Sequence, residues 1–402
     1  MTLSKRSTRI LICAGLMVTL GMGVRQTFGL FLPAMSIDLG WNREVFSFAI
    51  ALQNLMWGAS QPLVGSIADR YGARRVLLAG ALLYVCGLLL MAYAPSPAGL
   101  ALSNGVLIGL ALSGVTFSVV FGVVSRAVSA EKRGTALGLV GACGSFGQFA
   151  FVPFGQTMIS TIGWFEALLV LAACAFLMAP LAAGLGEPRA ERATGSARQS
   201  IADALGEALR QRSFWLLTLG YFTCGFQVVF IAAHLPSYVL DKGLGPTHAM
   251  TALALIGLFN IFGSFGWGAA GDRLAKKYLL SALYIGRSLA IVLLLAFPLT
   301  PLSLYVFAGV MGLLWLGTVP LTNGIIAQMF GLGHFALLSG VVFFSHQIGS
   351  FLGAWLGGLV FDRTGSYDPV WIASALLGVT AALFNLPIDE RPLRPAAAQA
   401  RA

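Results

Sequence analysis

Charge is what this sequence has least of. Only 10% of its 402 residues are Asp, Glu, Lys or Arg, against roughly 25% in a soluble domain. Its 15 carboxylates sit in polar stretches or at the ends of apolar runs, never in the middle of one. That argues against a site for organic cations inside the apolar part of the protein. Cysteine is also scarce. Cys13, Cys86, Cys143, Cys174 and Cys224 are odd in number, lie within apolar runs and form no C-x-x-C. Neither a disulfide framework nor a thiolate metal site is expected, and they read as small packing residues. No P-loop spacing occurs, so no enzyme, no cofactor and no metal are expected.

What is present is apolar: 57% of the residues, with a mean hydropathy of +0.84. Runs of about 20 apolar residues recur along the chain, each able to cross a hydrocarbon core of about 30 Å. The fold class expected is an all-α membrane protein of twelve transmembrane helices. They run near 10–33, 44–67, 76–94, 98–124, 135–158, 165–185, 214–239, 248–270, 279–298, 301–327, 336–360 and 370–387. The alternating ten-residue segments of a membrane β-barrel are absent. The first run is too long for a secretory leader and no A-x-A site follows it.

The net charge of +10 lies in the connecting segments. If the N-terminus is cytoplasmic, only Arg43, Lys242 and Arg363 fall on the far side, and only Arg25 and Arg287 inside spans. This asymmetry predicts cytoplasmic termini. It also accounts for the basic balance without nucleic acid.

The longest link, Glu187 to Arg212, divides the spans six and six. The predicted organisation is an N-terminal half over 1–186, a linker over 187–212 and a C-terminal half over 213–402. Within the linker, Ile201, Leu205, Ala208 and Leu209 share a helical face. That suits a helix lying on the membrane surface or an ordinary solvated linker helix. The halves repeat: GSIADRYGARR (Gly65–Arg75) follows the second span and GAAGDRLAKK (Gly268–Lys277) the eighth. Two similar six-span halves are a known transporter plan, with substrate bound between them near the midplane.

These two loops resemble the loop motif of the major facilitator superfamily. The resemblance covers essentially the whole chain and implies that spans 1, 4, 7 and 10 line a cavity. It further implies that Gly65, Asp69, Arg70, Gly268, Asp272 and Arg273 form conformational gating loops that pair with neighbouring helix ends. Small residues recur in the fifth span (Gly134, Gly138, Gly141, Gly144, Gly147), the eighth (Gly257, Ser264, Gly268) and the eleventh (Ser345, Gly349, Gly353, Gly357). They permit close helix approach. In the superfamily, spans 5 and 8, and spans 2 and 11, meet across the halves.

Three basic side chains fall within spans: Arg25, Arg287 and His346. An intramembrane arginine costs about 2.5–3.5 kcal/mol on insertion scales, so it normally faces a cavity or a partner. With no buried acid in the sequence, an anion from outside is the natural partner of Arg25. The alternative is snorkelling: Arg25 lies roughly 24 Å along the helix from Arg9 but only about 12 Å from the far end near Pro33. Arg287 is a buried charge that either binds carbonyls or a neighbouring helix, or serves as a second anchor. His346 is either a proton carrier or a hydrogen-bonded packing residue. His234 is expected at the rim. Gln26, Asn54, Gln148, Tyr221, Gln227, Asn260 and Trp315, with Arg25 and His346, are the candidate substrate-binding residues. A cation among amides and aromatics suits a small carboxylate.

KRGTALGLVGACGSFG, Lys132 to Gly147, is similar to the fifth-span signature of monocarboxylate transporters and their bacterial oxalate/formate relatives. Arg25 in GVRQTFGLF matches that group's basic residue in the first span. The group's eighth-span Asp and Arg are replaced by Asn260 and Ser264, a joint loss that leaves no unpaired buried charge. The expectation is a monomeric symporter or exchanger of a small carboxylate in the bacterial inner membrane, with the lipid bilayer and protons as its other partners. Efflux of neutral metabolites or drugs is the rival within transport, and a non-transporting membrane sensor the rival outside it.

Overall fold

The computed structural model describes residues 5–94, 96–128, 130–185, 201–331 and 335–393. Among them the chain is helical throughout. The first expected span is two helices, α1 (Lys5–Gln26) and α2 (Phe28–Leu39), followed by α3 (Arg43–Tyr71) and α4 (Ala73–Tyr93). The fourth is in pieces: α5 (Pro97–Leu100), a π-helical stretch (Ala101–Ile108), α6 (Gly109–Val115) and α7 (Phe117–Ala127). Then come α8 (Ala130–Phe176), α9 (Met178–Gly184) and, after the link, α10 (Ile201–Leu209). The remainder is α11 (Arg212–Asp241), α12 (Pro246–Gly271), α13 (Lys276–Ala296), α14 (Pro301–Leu314), α15 (Thr318–Phe330), α16 (Phe335–Thr364) and α17 (Asp368–Asn385).

Ten helical segments among the described residues are long and apolar enough to cross a membrane, where the sequence pattern predicts twelve. Two features account for the difference. α3 has the length, 29 residues, but Gln53, Asn54, Ser60 and Gln61 lower its hydropathy. α8 joins the expected fifth and sixth spans into one element, although the backbone turns at Gly163 (φ 89°, ψ 168°). That left-handed φ is open to glycine and strained for other residues.

Large apolar side chains are exposed in helical stripes. On α17 they are Ile372, Leu376, Val379 and Leu383; on α14 they are Leu302, Val306, Val310 and Leu313. In water such continuous faces would be a liability; against lipid tails they are the expected surface. Buried apolar side chains form two cores. One runs from Ile10 to Leu185 and takes in Val229, Ala233 and Ala354. The other runs from Ala208 to Ile388 and takes in Leu30 and Val152.

In the fifth and eleventh spans the glycine stripes serve contacts within a core. A methyl at Gly147 would meet the backbone of Thr19 on α1, and one at Gly349 or Gly353 the backbone of α11 at Phe222 or Phe226. The crossings between the cores use Gly257 of the eighth-span stripe, against Phe149 on α8, and three glycines outside the stripes: Gly29 against Ala232, Gly58 against Gln347 and Gly358 against Ser47. The α3–α16 contacts run from Ser47–Gly358 to Gly58–Phe344, while Gly65 and Gly340 further along face open space. The two cores therefore close on each other at the end bearing Arg43 and separate toward the end bearing Arg70. Within the linker, Glu187 to Ser200 lies outside the described residues; of the predicted amphipathic face, Ala208 is buried and Leu209 exposed.

Candidate functional site

Three of the expected spans break part-way along their length. α1 stops at Gln26; the Thr27 hydroxyl donates to Val24 O at 2.8 Å, and its N–H bonds the same carbonyl at 3.1 Å, a tightened turn. The fourth span breaks at Thr116, whose backbone is extended (φ −106°, ψ −159°). The tenth breaks between Leu314 and Thr318. Helix breaks at membrane depth free backbone groups and recur at transporter sites.

Arg25 stands in the last turn of α1 beside the first break. It is half-buried. Its Nη2 donates to Asn54 Oδ1 at 2.7 Å. Asn54 is fixed in this orientation because its own Nδ2 donates to Ile50 O at 2.8 Å. The guanidinium carbon lies 5.1 Å from the centroid of the Trp57 ring. Arg25 Nε is buried without a partner. No carboxylate is among its partners in the described residues.

From Arg25 an aromatic chain crosses to the second core. Trp57 meets Phe343 edge-on at 5.6 Å. Phe343 stacks on His346 at 5.7 Å and 9°, and His346 lies 4.8 Å from the Tyr221 ring. His346 Nδ1 is 3.1 Å from Gln347 Oε1. Arg25, Asn54, Tyr221 and His346 are thus linked, through Trp57 and Phe343. Neither of those two was expected from the sequence. Trp57 stands one turn on from Asn54, on the same face of α3, which is the signal that could have found it.

Most of the other candidates lie in separate networks; Arg287 reaches the edge of this one, its Nη2 3.6 Å from Cys224 Sγ, one turn on from Tyr221. Arg287 is fully buried. Its Nε and Nη2 donate to Leu314 O at 2.9 and 2.7 Å, Nη2 also to Trp315 O, and Nη1 to Gln227 Oε1 at 3.3 Å. It satisfies carbonyls freed by the tenth-span break. Gln227 is tied by Nε2 to Ser374 O at 2.9 Å, and the Trp315 side chain is packed in the second core. Asn260 donates to Ser145 Oγ at 3.0 Å and accepts from Ser264 Oγ at 2.9 Å and the Leu316 N–H at 3.1 Å. The neutral pair Asn260 and Ser264 is therefore hydrogen-bonded to itself. Gln26 and Gln148 are buried, with Gln26 Nε2 and Gln148 Oε1 unpartnered. His234 does not sit at the rim: it is fully buried, with Nε2 2.7 Å from Ala354 O and Nδ1 3.2 Å from Tyr367 Oη, because Gly357 leaves room for its ring.

Of the gating-loop residues, the Asp69 side chain lies outside the described residues. Gly65 faces open space, and a methyl added at Gly268 would lie 3.6 Å from Pro320. Arg70, Asp272 and Arg273 are exposed and form no ion pair among the described residues. Nor do the described residues contain a cluster of His, Cys, Asp or Glu that could hold a metal ion.

The family profile of the Major Facilitator Superfamily matches residues 11–266 and 244–402. The chain belongs to this superfamily. Similar proteins include an uncharacterized MFS-type transporter, YcxA, of Bacillus subtilis, 26% identical over 91% of each chain. Monocarboxylate transporter 11 of Mus musculus is 28% identical over 92% of this chain and 84% of its own. The oxalate:formate antiporter of Oxalobacter formigenes is 23% identical over 96% and 92%. The superfamily and these relatives are transporters, not enzymes. This MFS protein is accordingly a multi-pass membrane protein that moves a small-molecule substrate.

Proposed function

We propose that this MFS protein is a secondary transporter of a small organic anion, a mono- or dicarboxylate, working by alternating access in the bacterial inner membrane. In this reading twelve spans form two six-span halves, 1–186 and 213–402, joined by the cytoplasmic segment 187–212. The length of α3 and the turn at Gly163 support the count, and the two buried cores support the halves. Cytoplasmic termini follow from the positive-inside asymmetry, and the working unit is a monomer.

The observation that carries the reading is Arg25. A guanidinium in the middle of a span, with an amide oxygen and an indole ring as its neighbours, is a cation awaiting an anion. Two of the relatives are named for carboxylates, which supports that class. Closure at the Arg43 end and separation at the Arg70 end support an inward-open conformer. Proton symport is favoured over exchange, with His346 as the carrier because its imidazole is linked to Arg25 through Trp57 and Phe343.

The test is uptake by purified protein in liposomes of radiolabelled lactate, pyruvate and oxalate, with and without an inward proton gradient, compared with Arg25→Gln. Saturable uptake lost in a folded Arg25→Gln protein supports the reading. Equal uptake by the variant, or no uptake of any acid by the wild type, defeats it.

A further inference from the structure

Trp57 is 6% exposed and its indole Nε1 is buried with no hydrogen-bond partner. Indole nitrogen is a donor only. A buried N–H left without an acceptor is destabilising by the full desolvation of the group, so a native protein normally supplies one. Two nearby donors share this condition. Arg25 Nε is buried and unpartnered, on the guanidinium that lies 5.1 Å from the Trp57 centroid. Gln347 Nε2 is buried and unpartnered as well, and the Gln347 side chain packs on Gly58, the residue after Trp57. Trp57 Nε1, Arg25 Nε and Gln347 Nε2 are alike in being N–H donors. An acceptor-rich ligand is what they lack.

The Trp57 ring is held in place rather than free to turn away. The Trp57 carbonyl accepts from Ser113 Oγ at 2.9 Å, and Ser113 is in turn 2.6 Å from Ser60 Oγ. Phe343 meets the ring edge-on. The Arg25 guanidinium carbon stands 5.1 Å from the centroid of the Trp57 ring, close enough for one carboxylate to reach a donor on each side chain. Arg287, the other arginine within a span, is engaged by Leu314, Trp315 and Gln227, which leaves Arg25 as the guanidinium beside Trp57 among the described residues. The surfaces next to it are aromatic.

We infer that Trp57 is a specificity-determining residue: its indole N–H donates to the carboxylate that Arg25 binds, and its ring and Phe343 form the wall for an apolar substrate body. The inference rests on the organic-anion reading of the site and narrows it to singly charged acids with an apolar or aromatic body. Oxalate, with a second charge and no apolar body, fits this wall poorly.

The test compares wild type, Trp57→Phe, Trp57→Leu and Arg25→Gln in liposomes, with benzoate, lactate and oxalate as probes. Melting temperature in detergent checks the fold of each. Calorimetric binding of benzoate to the purified proteins reads the site even where a variant binds but does not cycle. Trp57→Phe keeps an aromatic wall but lacks the donor, so KM and Kd rise roughly tenfold or more for both benzoate and lactate, with kcat little changed. Trp57→Leu weakens benzoate further than lactate. If Arg25→Gln abolishes uptake while Trp57→Phe binds benzoate as the wild type does, the role of Trp57 fails and the anion reading stands. If oxalate is preferred over benzoate in the wild type, the narrowing fails. If Arg25→Gln keeps full uptake, or the wild type binds none of the three acids, the anion reading fails and this inference with it.

Discussion

Arg43 and Asp241 face each other in a bidentate ion pair, Nη1 2.6 Å from Oδ2 and Nη2 2.7 Å from Oδ1. The pair joins the start of α3 to the end of α11. The Arg43 guanidinium also lies 3.8 Å from the centroid of Phe361 and donates to Tyr367 Oη at 3.0 Å. The backbone N–H groups of Arg43 and Glu44, free at a helix start, donate to Asp362 at 3.2 and 2.7 Å. A carboxylate at a helix N-terminus is favoured by both the open N–H groups and the dipole. One short stretch of α3 thus holds both α11 and α16 at the closed end.

Breaking this latch should open that end. The pair is partly exposed, so its worth is set at about 1 kcal/mol, a roughly fivefold change in a two-state population. Arg43→Ala or Asp241→Asn should raise, by about that factor, the labelling rate of a cysteine placed at Ser47 by a membrane-impermeant maleimide. The swap Arg43→Asp with Asp241→Arg should restore slow labelling in part. Unchanged labelling in both single variants would make the pair incidental to closure.

Arg287→Met should destabilise the fold more than it alters substrate affinity. Removing the guanidinium orphans Leu314 O and Trp315 O at the tenth-span break, at about 1–3 kcal/mol for each buried acceptor left unmade. The melting temperature in detergent should fall clearly, and KM for any transported acid should stay within a few-fold of wild type. A large KM change at constant melting temperature would place Arg287 at the substrate instead.

Two glycines should respond in opposite ways. A methyl at Gly225 would run into the carbonyl oxygen of His346, whereas Gly340 faces open space. Gly225→Val should lower stability by about 1–3 kcal/mol or more, the cost of overpacking. Gly340→Val should leave the melting temperature unchanged yet slow flux, because the proposed alternating access has to close the end at which Gly340 faces open space. If Gly340→Val transports at the wild-type rate, that end does not close at this position.

Fold and site were legible to different depths. Apolar run length and the paired G-x-x-x-D-R loops carry the architecture, because both depend on local sequence. The breaks at Thr27, Thr116 and Leu314–Thr318 were not legible; they are settled by which side chains satisfy the freed backbone. Arg25 stood out because an isolated charge in an apolar run is rare. Trp57 did not, because a tryptophan in such a run looks like core until its indole N–H is found without an acceptor. The roles of Arg287 and His234 depended on partners far away in sequence, carbonyls on α14 and α16, which no spacing rule reveals.

His346 is 8% exposed and has Ser350 and Gln347 within reach of its Nδ1. If it carries the coupled proton, His346→Asn keeps a polar side chain of smaller size but loses the imidazole. Uptake driven by an inward proton gradient should then lose its acceleration, while exchange of labelled for unlabelled acid without a gradient continues. Loss of both at constant melting temperature would instead assign His346 to substrate binding, and retention of both would leave it a packing residue.

Asn54→Asp gives the sharpest separation of the two readings of Arg25. It puts a carboxylate 2.7 Å from the guanidinium, where an amide oxygen now stands. A built-in partner relieves the uncompensated charge and should raise the melting temperature of the empty protein. It also occupies the cation that a substrate carboxylate needs, so uptake of lactate or benzoate should collapse, further than with Asn54→Ala. Stability up and transport down is the signature of a binding cation held unpaired for its ligand. Were Arg25 only a structural clamp, Asn54→Asp would tighten the clamp and uptake would survive.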